Sequence, residues 1–329
     1  MKDLVTNYAL MVLDGKVPVG PYVIWAAERH LRDMERDDIF LDLVEVERRV
    51  KFFALLKHWK GGFAGKSFEL SLWQIFRIGS VFGWKRKATG LRRFTKAYTE
   101  IPHKNGKTTE AAAIGLSGML LDNEPGSEVY SVATKRDQAK ILWMDAKMMV
   151  QATPTLNKQI KSYVANLNCP AYASKFEALG RDSKSLDGLN PHFVLYDEFH
   201  AYRDPYLRSV MQNAMGSRDQ PLEWIITTAG NEPESICYEL REHAINVLDP
   251  EQPDFEDDTL FAYIACPFPD DDPGDPLTWA RANPELGLAK KVEFLQRRWE
   301  RACQVPSVMN EFLSKQLNVW TSAVGKVLP

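Results

Sequence analysis

The sequence predicts an α/β fold: a mainly parallel central sheet flanked by helices, a helical segment before it and a small helical lid after it. Two observations predict it. From about residue 62, short apolar or β-branched runs alternate with runs of helical period, which is the texture of βαβ units. Two of the strand-like runs, Phe193 to Tyr196 and Trp224 to Thr228, are almost wholly apolar or β-branched, as strands covered on both faces are.

Taken in order, Val23 to Arg32 and Ile39 to Trp59 carry apolar residues at helical spacing. Residues 1–61 therefore read as a helical segment packed on the main domain. Residues 62–234 read as the core, with strands at Phe94 to Ile101, Glu128 to Thr134, His192 to Tyr196 and Trp224 to Thr228, and helices at Lys107 to Leu121 and Arg136 to Gln151. Residues 235–329 hold a last candidate strand, Leu260 to Cys266. A Pro- and Asp-rich loop, Phe268 to Pro276, follows. A helical stretch, Thr278 to Leu317, breaks at Asn283-Pro284.

Composition narrows the class. The 329 residues are 45% hydrophobic and 26% charged, the balance of a globular protein with a sizeable core. The formal charge is −3, so any nucleic-acid contact needs a local basic patch. Lys85-Arg86-Lys87 with Arg92-Arg93, and Arg297-Arg298 with Arg301, are the two candidates, against the plainer reading of solvated helix faces. The best apolar run, Ala111 to Leu121, is broken by Gly115, Ser117 and Gly118, so no membrane span is expected, and Tyr8 to Leu13 is too short for a signal peptide. Cys169, Cys237, Cys266 and Cys303 lack metal-ligand spacing, which predicts reduced thiols in an intracellular protein.

Four motifs carry chemistry. Glu100 to Thr109, E-I-P-H-K-N-G-K-T-T, joins a strand to a helix and ends as a phosphate-binding loop. Gly106 lets the backbone approach a phosphate, the helix N-terminus offers free N–H groups, Lys107 supplies charge to the β- and γ-phosphates, and the Thr108 hydroxyl suits Mg²⁺. The first Gly of the usual pattern is Ile101 here. Ninety residues beyond Lys107, an apolar strand ends in Asp197-Glu198. Asp197 would hold Mg²⁺ and Glu198 would activate the attacking water. One helix later, Trp224 to Asn231 ends in Thr227 and Thr228, placed to sense the γ-phosphate. Upstream, Leu70 to Phe76 offers Gln74 for an adenine edge, with Trp73 or Phe76 near the ring. Together these predict a P-loop NTPase of the catalytic-Glu type with ATP and Mg²⁺. His103, Lys104, Asn105, Gly106, Lys107, Thr108 and Thr109 would bind the nucleotide. Catalysis falls to Glu198 and Lys107, coupling to Thr227 and Thr228, and metal ligation to Thr108 and Asp197.

In this order the pieces resemble the large terminase subunit of tailed bacteriophages, from about Ser67 to Trp320. The resemblance is carried by P-x-K-N-G-K-T, by L-D-G-L-N-P-H-F-V-L-Y-D-E-F-H-A-Y (Leu186 to Tyr202) and by T-T-A-G-N. W-A-R-A-N-P-E-L-G and F-L-S-K-Q-L-N-V-W also match. It implies an ATP-driven motor that moves double-stranded viral DNA into a procapsid. Its expected partners are a portal protein and a small terminase subunit, in the host cytoplasm and transiently at the portal vertex. The motor would be a homo-oligomeric ring when assembled and a monomer in isolation. It also implies a nuclease domain beginning after Trp320. With the sequence ending at Pro329, the expectation is the ATPase part alone, without DNA cleavage. His103 stands where the family usually has Arg, so reliance on a neighbour's arginine increases; Arg181 is the preferred candidate and Arg136 the other. The alternatives are another P-loop translocase or helicase, and a DNA-binding adaptor with a vestigial loop. The mostly helical residues after about 270 argue against the first. The intact Lys107, Thr108, Asp197 and Glu198 argue against the second.

Overall fold

The computed structural model describes residues 2–183, 186 and 188–321. The N-terminal segment contains α1 (Leu4–Leu13), α2 (Pro21–Met34), β1 (Ile39–Leu41) and α3 (Leu43–Leu55). The single helix expected from Ile39 starts instead at Leu43. The Asp42 carboxylate accepts from the N–H groups of Val44 and Glu45, fixing the N-terminus there. Residues 39–41 are released to pair antiparallel with β2 (Trp84–Arg86), which follows α4 (Leu72–Gly83). Val5, Tyr8, Val23 and Phe53 belong to the same core as the sheet, so this segment is part of the main domain's packing.

The main sheet is built from β3 (Lys96–Glu100), β4 (Glu128–Ala133), β5 (Lys161–Ser162), β6 (Asn166–Cys169), β7 (Ser174–Gly180), β8 (Pro191–Tyr196), β9 (Leu222–Thr227) and β10 (Leu260–Ile264). Helices α5 (Lys107–Leu120), α6 (Arg136–Ala152), α7 (Pro154–Gln159), α8 (Tyr206–Ala214) and α9 (Ile236–Leu248) connect them. The spatial order is β10-β3-β9-β8-β4-β7-β6-β5. The six strands from β10 to β7 are parallel, and β6 and β5 add an antiparallel edge. One strand, β9, lies between the strand that feeds the phosphate loop (β3) and the strand that ends in the acid pair (β8). The end of β9 therefore emerges between the two.

The lid is α10 (Pro276–Ala282), α11 (Val292–Gln304) and α12 (Pro306–Leu317), around a small core of its own: Trp279, Ala282, Leu295, Ala302, Phe312 and Leu317. The break after Ala282 falls at the expected Asn-Pro. Residues 322–329 of the expected lid lie outside the described residues, as do Lys184, Ser185 and, within the quoted L-D-G-L-N-P stretch, Asp187.

Of the basic clusters, Arg92 and Arg93 are buried. Arg92 pairs with Asp122 at 2.9 Å, and Arg93 with Asp33 at 2.6 Å and Asp258 at 2.7 Å. They tie the N-terminal helices and the sheet together and do not form a DNA-facing patch. Arg298 pairs with Glu311 across the lid at 2.5 Å.

Candidate active site

The phosphate loop runs from the end of β3 to the start of α5. Gly106 has φ +81°, and a Cβ there would meet nothing within 4 Å, so glycine is required by the dihedral rather than by space. Lys104, exposed, also takes a positive φ. The Lys107 ammonium is buried and donates to three acceptors: Ile101 O at 2.6 Å, Pro102 O at 3.0 Å and Thr228 Oγ1 at 2.8 Å. Burial pushes it down to about 8, against the pull of Glu198 and Asp197. Thr109 turns its hydroxyl to Asp145 Oδ2 at 3.1 Å. Asn105 is buried and faces the lid: its amide donates to Asn283 Oδ1 at 3.0 Å and its carbonyl accepts from Glu285 N at 3.1 Å.

The acid pair closes on this loop. Asp197 Oδ2 accepts from Thr108 Oγ1 at 3.0 Å, and Oδ1 from Glu198 N at 2.9 Å. Burial, then the neighbouring Glu198, raises the Asp197 carboxyl to about 6. A hydroxyl and a buried carboxylate that, among the described residues, has no cationic hydrogen-bond partner form a hard-oxygen donor pair that fits Mg²⁺, which commonly takes few protein ligands and completes its shell with phosphate and water. Among the described residues there is no group of three or more His, Cys, Asp or Glu placed for a metal.

Glu198 has φ +50°, so its carboxylate leaves the line of the strand. It lies between two imidazoles: Oε1 is 3.8 Å from His103 Nε2 and Oε2 is 3.3 Å from His200 Nδ1. Burial, followed by the surrounding lysines, pushes both histidines down to about 3, so both are neutral at pH 7. Residue 103 therefore supplies no fixed positive charge. The end of β9 fills the gap between loop and acid pair. Thr228 reaches Lys107, as above, and Thr227 Oγ1 accepts from His200 N at 2.9 Å.

On the other side of the loop is a cavity of about 830 Å³ lined by Trp59, Phe63, Gln74, Gly106, Thr109 and Leu288 among others. Gln74 borders it, but its amide is engaged on both ends, accepting from Ser71 N and Oγ at 3.0 Å and donating to Glu110 Oε2 at 3.0 Å. Trp73 and Phe76 are buried in the core, where Trp73 donates to Glu285 Oε1 at 2.6 Å. Aromatic rings do line the cavity, but they are those of His58, Trp59, Phe63 and Phe68, which the sequence reading does not assign to the site. The Gly61-Gly62 turn beside Phe63 was the one available signal.

Lys107, Thr108, Asp197, Glu198, Thr227, Thr228 and His103 are thus brought together. Arg181 is not part of that cluster. It is exposed on the loop after β7, paired with Asp204 and 5.5 Å from the Tyr206 ring centre. Arg136 donates from its guanidinium to Ala178 O at 3.3 Å.

A family model described as "Terminase large subunit, ATPase domain" matches residues 72–246, more than half the chain, including the phosphate loop, the acid pair and the Thr227-Thr228 strand end. The chain belongs to the terminase large-subunit ATPase family. A second model, "Terminase large subunit, endonuclease domain", matches residues 254–328. This corrects the expectation that the nuclease part lies wholly beyond Trp320 and that this chain carries none of it. Residues 254–321 form β10, docked beside β3, and the lid, so the matched segment is packed on the ATPase sheet. The curated relative "Protein YmfN" of Escherichia coli K12 is 39% identical over 183 residues, covering 56% of this chain and 38% of the relative. The large terminase of bacteriophage HK97 superposes with a TM-score of 0.72 at 23% identity, over 84% of this chain and 55% of that one, a likeness of fold. This terminase chain therefore spans well under two thirds of each of these relatives.

Proposed function

We propose that this terminase chain hydrolyses ATP at the Lys107–Asp197–Glu198 site and uses the energy to move double-stranded viral DNA into a procapsid. The observation that carries the reading is the 3.0 Å hydrogen bond from Thr108 to Asp197, which joins the phosphate loop to the acid pair beside Glu198. Mg²⁺ held by Thr108 and Asp197 would neutralise charge on the β- and γ-phosphates. Lys107 exchanges its carbonyl partners for phosphate oxygens. Glu198 accepts the proton of the attacking water, flanked by neutral imidazoles that do not quench its charge. Thr228, bonded to Lys107, and Thr227, bonded to the turn after Glu198, transmit loss of the γ-phosphate to the segment after β9.

We further propose a setting: a ring of copies on a portal protein, with a small terminase subunit, in the host cytoplasm, and with Arg181 of one copy reaching its neighbour's nucleotide. The purified chain is assayed for ATP turnover with and without double-stranded DNA. Glu198→Gln should lower turnover by about 100-fold or more while ATP binding stays within about threefold, since it removes the base and leaves the metal ligand. Lys107→Ala should lose binding. Turnover near wild type in Glu198→Gln would discard the assignment.

A further inference from the structure

Lys315, on the lid helix α12, touches three parts of the active site at once. Its carbonyl accepts from His103 N of the phosphate loop at 3.1 Å. Its ammonium donates to Ala229 O, just after β9, at 3.2 Å, and lies 3.2 Å from His200 Nε2, on the turn after the acid pair. The opposite ring nitrogen of His200 faces Thr227 Oγ1 at 3.2 Å and Glu198 Oε2 at 3.3 Å. Glu198 Oε2 is buried and has no hydrogen-bond partner of good geometry among the described residues.

We propose that Lys315 is a positioning residue for Glu198, acting through His200, so that seating of the lid sets the geometry of the base. An ammonium has only protons to offer, so His200 Nε2 must present its lone pair to it. That places the ring proton on Nδ1, the side that faces Thr227 and Glu198. An Nδ1 proton attracts the Glu198 carboxylate and holds it in the strained left-handed turn. The other tautomer would turn a lone pair toward the carboxylate and push it away. When the lid lifts, Lys315 leaves with it, the tautomer is no longer fixed, and Glu198 loses its orientation. Hydrolysis is thereby made conditional on a docked lid.

The inference rests on Glu198 being the base, and the experiment separates the two. ATP turnover, ATP binding by a fluorescent analogue, and Tm are measured for wild type, Glu198→Gln, Lys315→Met, Lys315→Arg, His200→Ala and the Lys315→Met/His200→Ala double variant. Lys315→Met should lower kcat about 10- to 100-fold with binding within about threefold, and Lys315→Arg should recover most of the loss. The double variant should be no slower than His200→Ala alone, within about twofold, because both act through one contact. Wild-type kcat in Lys315→Met, a matching loss of ATP affinity, or multiplicative losses in the double variant each overturn the proposal. If Lys315→Met lowers Tm, His200→Ala decides, since unchanged kcat there also overturns it. Dead Glu198→Gln with fully active Lys315→Met sinks only this proposal. Active Glu198→Gln sinks the assignment beneath it.

Discussion

Glu198 is a non-glycine residue held at φ +50°, a placement that costs on the order of 1 kcal/mol and persists because its surroundings over-determine it. His103, His200 and the end of β9 are those surroundings. The candidate site residues were legible because each lies in a short contiguous stretch: G-K-T at a helix start, Asp-Glu at a strand end, Thr-Thr at the next. Their alignment in one line of chain is local chemistry. The left-handed turn at Glu198 and its two imidazoles were not legible, because no local pattern separates this turn from an ordinary strand end. Arg181 makes a residue-scale prediction. Its partners, Asp204 and Tyr206, are at the surface, where an ion pair is worth little. Arg181→Ala should leave Tm unchanged within about 1 °C and lower turnover only under conditions where copies assemble. Mixing inactive Arg181→Ala with inactive Glu198→Gln should then restore part of the activity, and no recovery in demonstrated rings would remove Arg181 from a role in trans.

At the scale of elements, β9 decides the architecture. It pairs with β3 on one side and β8 on the other, so Thr227 and Thr228 emerge between phosphate loop and acid pair. The apolar central strands were readable for the reason that makes them central: both faces are covered. The antiparallel β5 to β7 edge was not read. β5 and β6 are two and four residues long, and Asn166-Leu167-Asn168 offers one apolar side chain between polar ones. The N-terminal helices supply a test of pH. His30 on α2 bonds Thr6 Oγ1 at 2.9 Å and accepts from Trp84 Nε1 at 3.3 Å, and burial pushes it down to about 4. A base with a depressed folded-state pKa keeps its stability above the unfolded value near 6.5. That stability is lost as pH falls from there toward 4. His30→Gln should reduce the drop in unfolding free energy between pH 7 and pH 5 by about 2 kcal/mol, measured by denaturant titration at both pH values. Equal drops in variant and wild type would show that His30 does not contribute.

At the scale of the whole molecule, the Asn283 amide is one of the bonds that tie the lid to the phosphate loop. Asn283 Oδ1 accepts from Asn105 Nδ2 at 3.0 Å and from Lys290 Nζ at 2.7 Å, while its Nδ2 donates to Trp279 O and Gln316 O, both at 2.9 Å. Lys290 is buried, and that burial pushes it down to about 6. Removing the amide strands the lysine and two carbonyls, at a cost of about 3 kcal/mol. Asn283→Ala should therefore speed hydrogen exchange and proteolysis across α10 to α12 well before the sheet opens. Lid exchange equal to that of the wild type would contradict it. The latch itself was not visible in the sequence, since Asn105 and Asn283 stand 178 residues apart in separate motifs and nothing local pairs them.

The far end of α12 is fastened differently. Asn318 donates to Glu100 Oε1 at 3.1 Å and to Ala265 O at 2.9 Å, and Trp320 Nε1 donates to the same Glu100 oxygen at 3.2 Å. Glu100 is the last residue of β3 and directly precedes the phosphate loop. In mechanical terms, tension on the chain beyond Trp320 passes first through these bonds, bypassing the lid helices. It enters the sheet at the root of the loop that carries Lys107. Load and nucleotide chemistry thus share one short stretch of backbone.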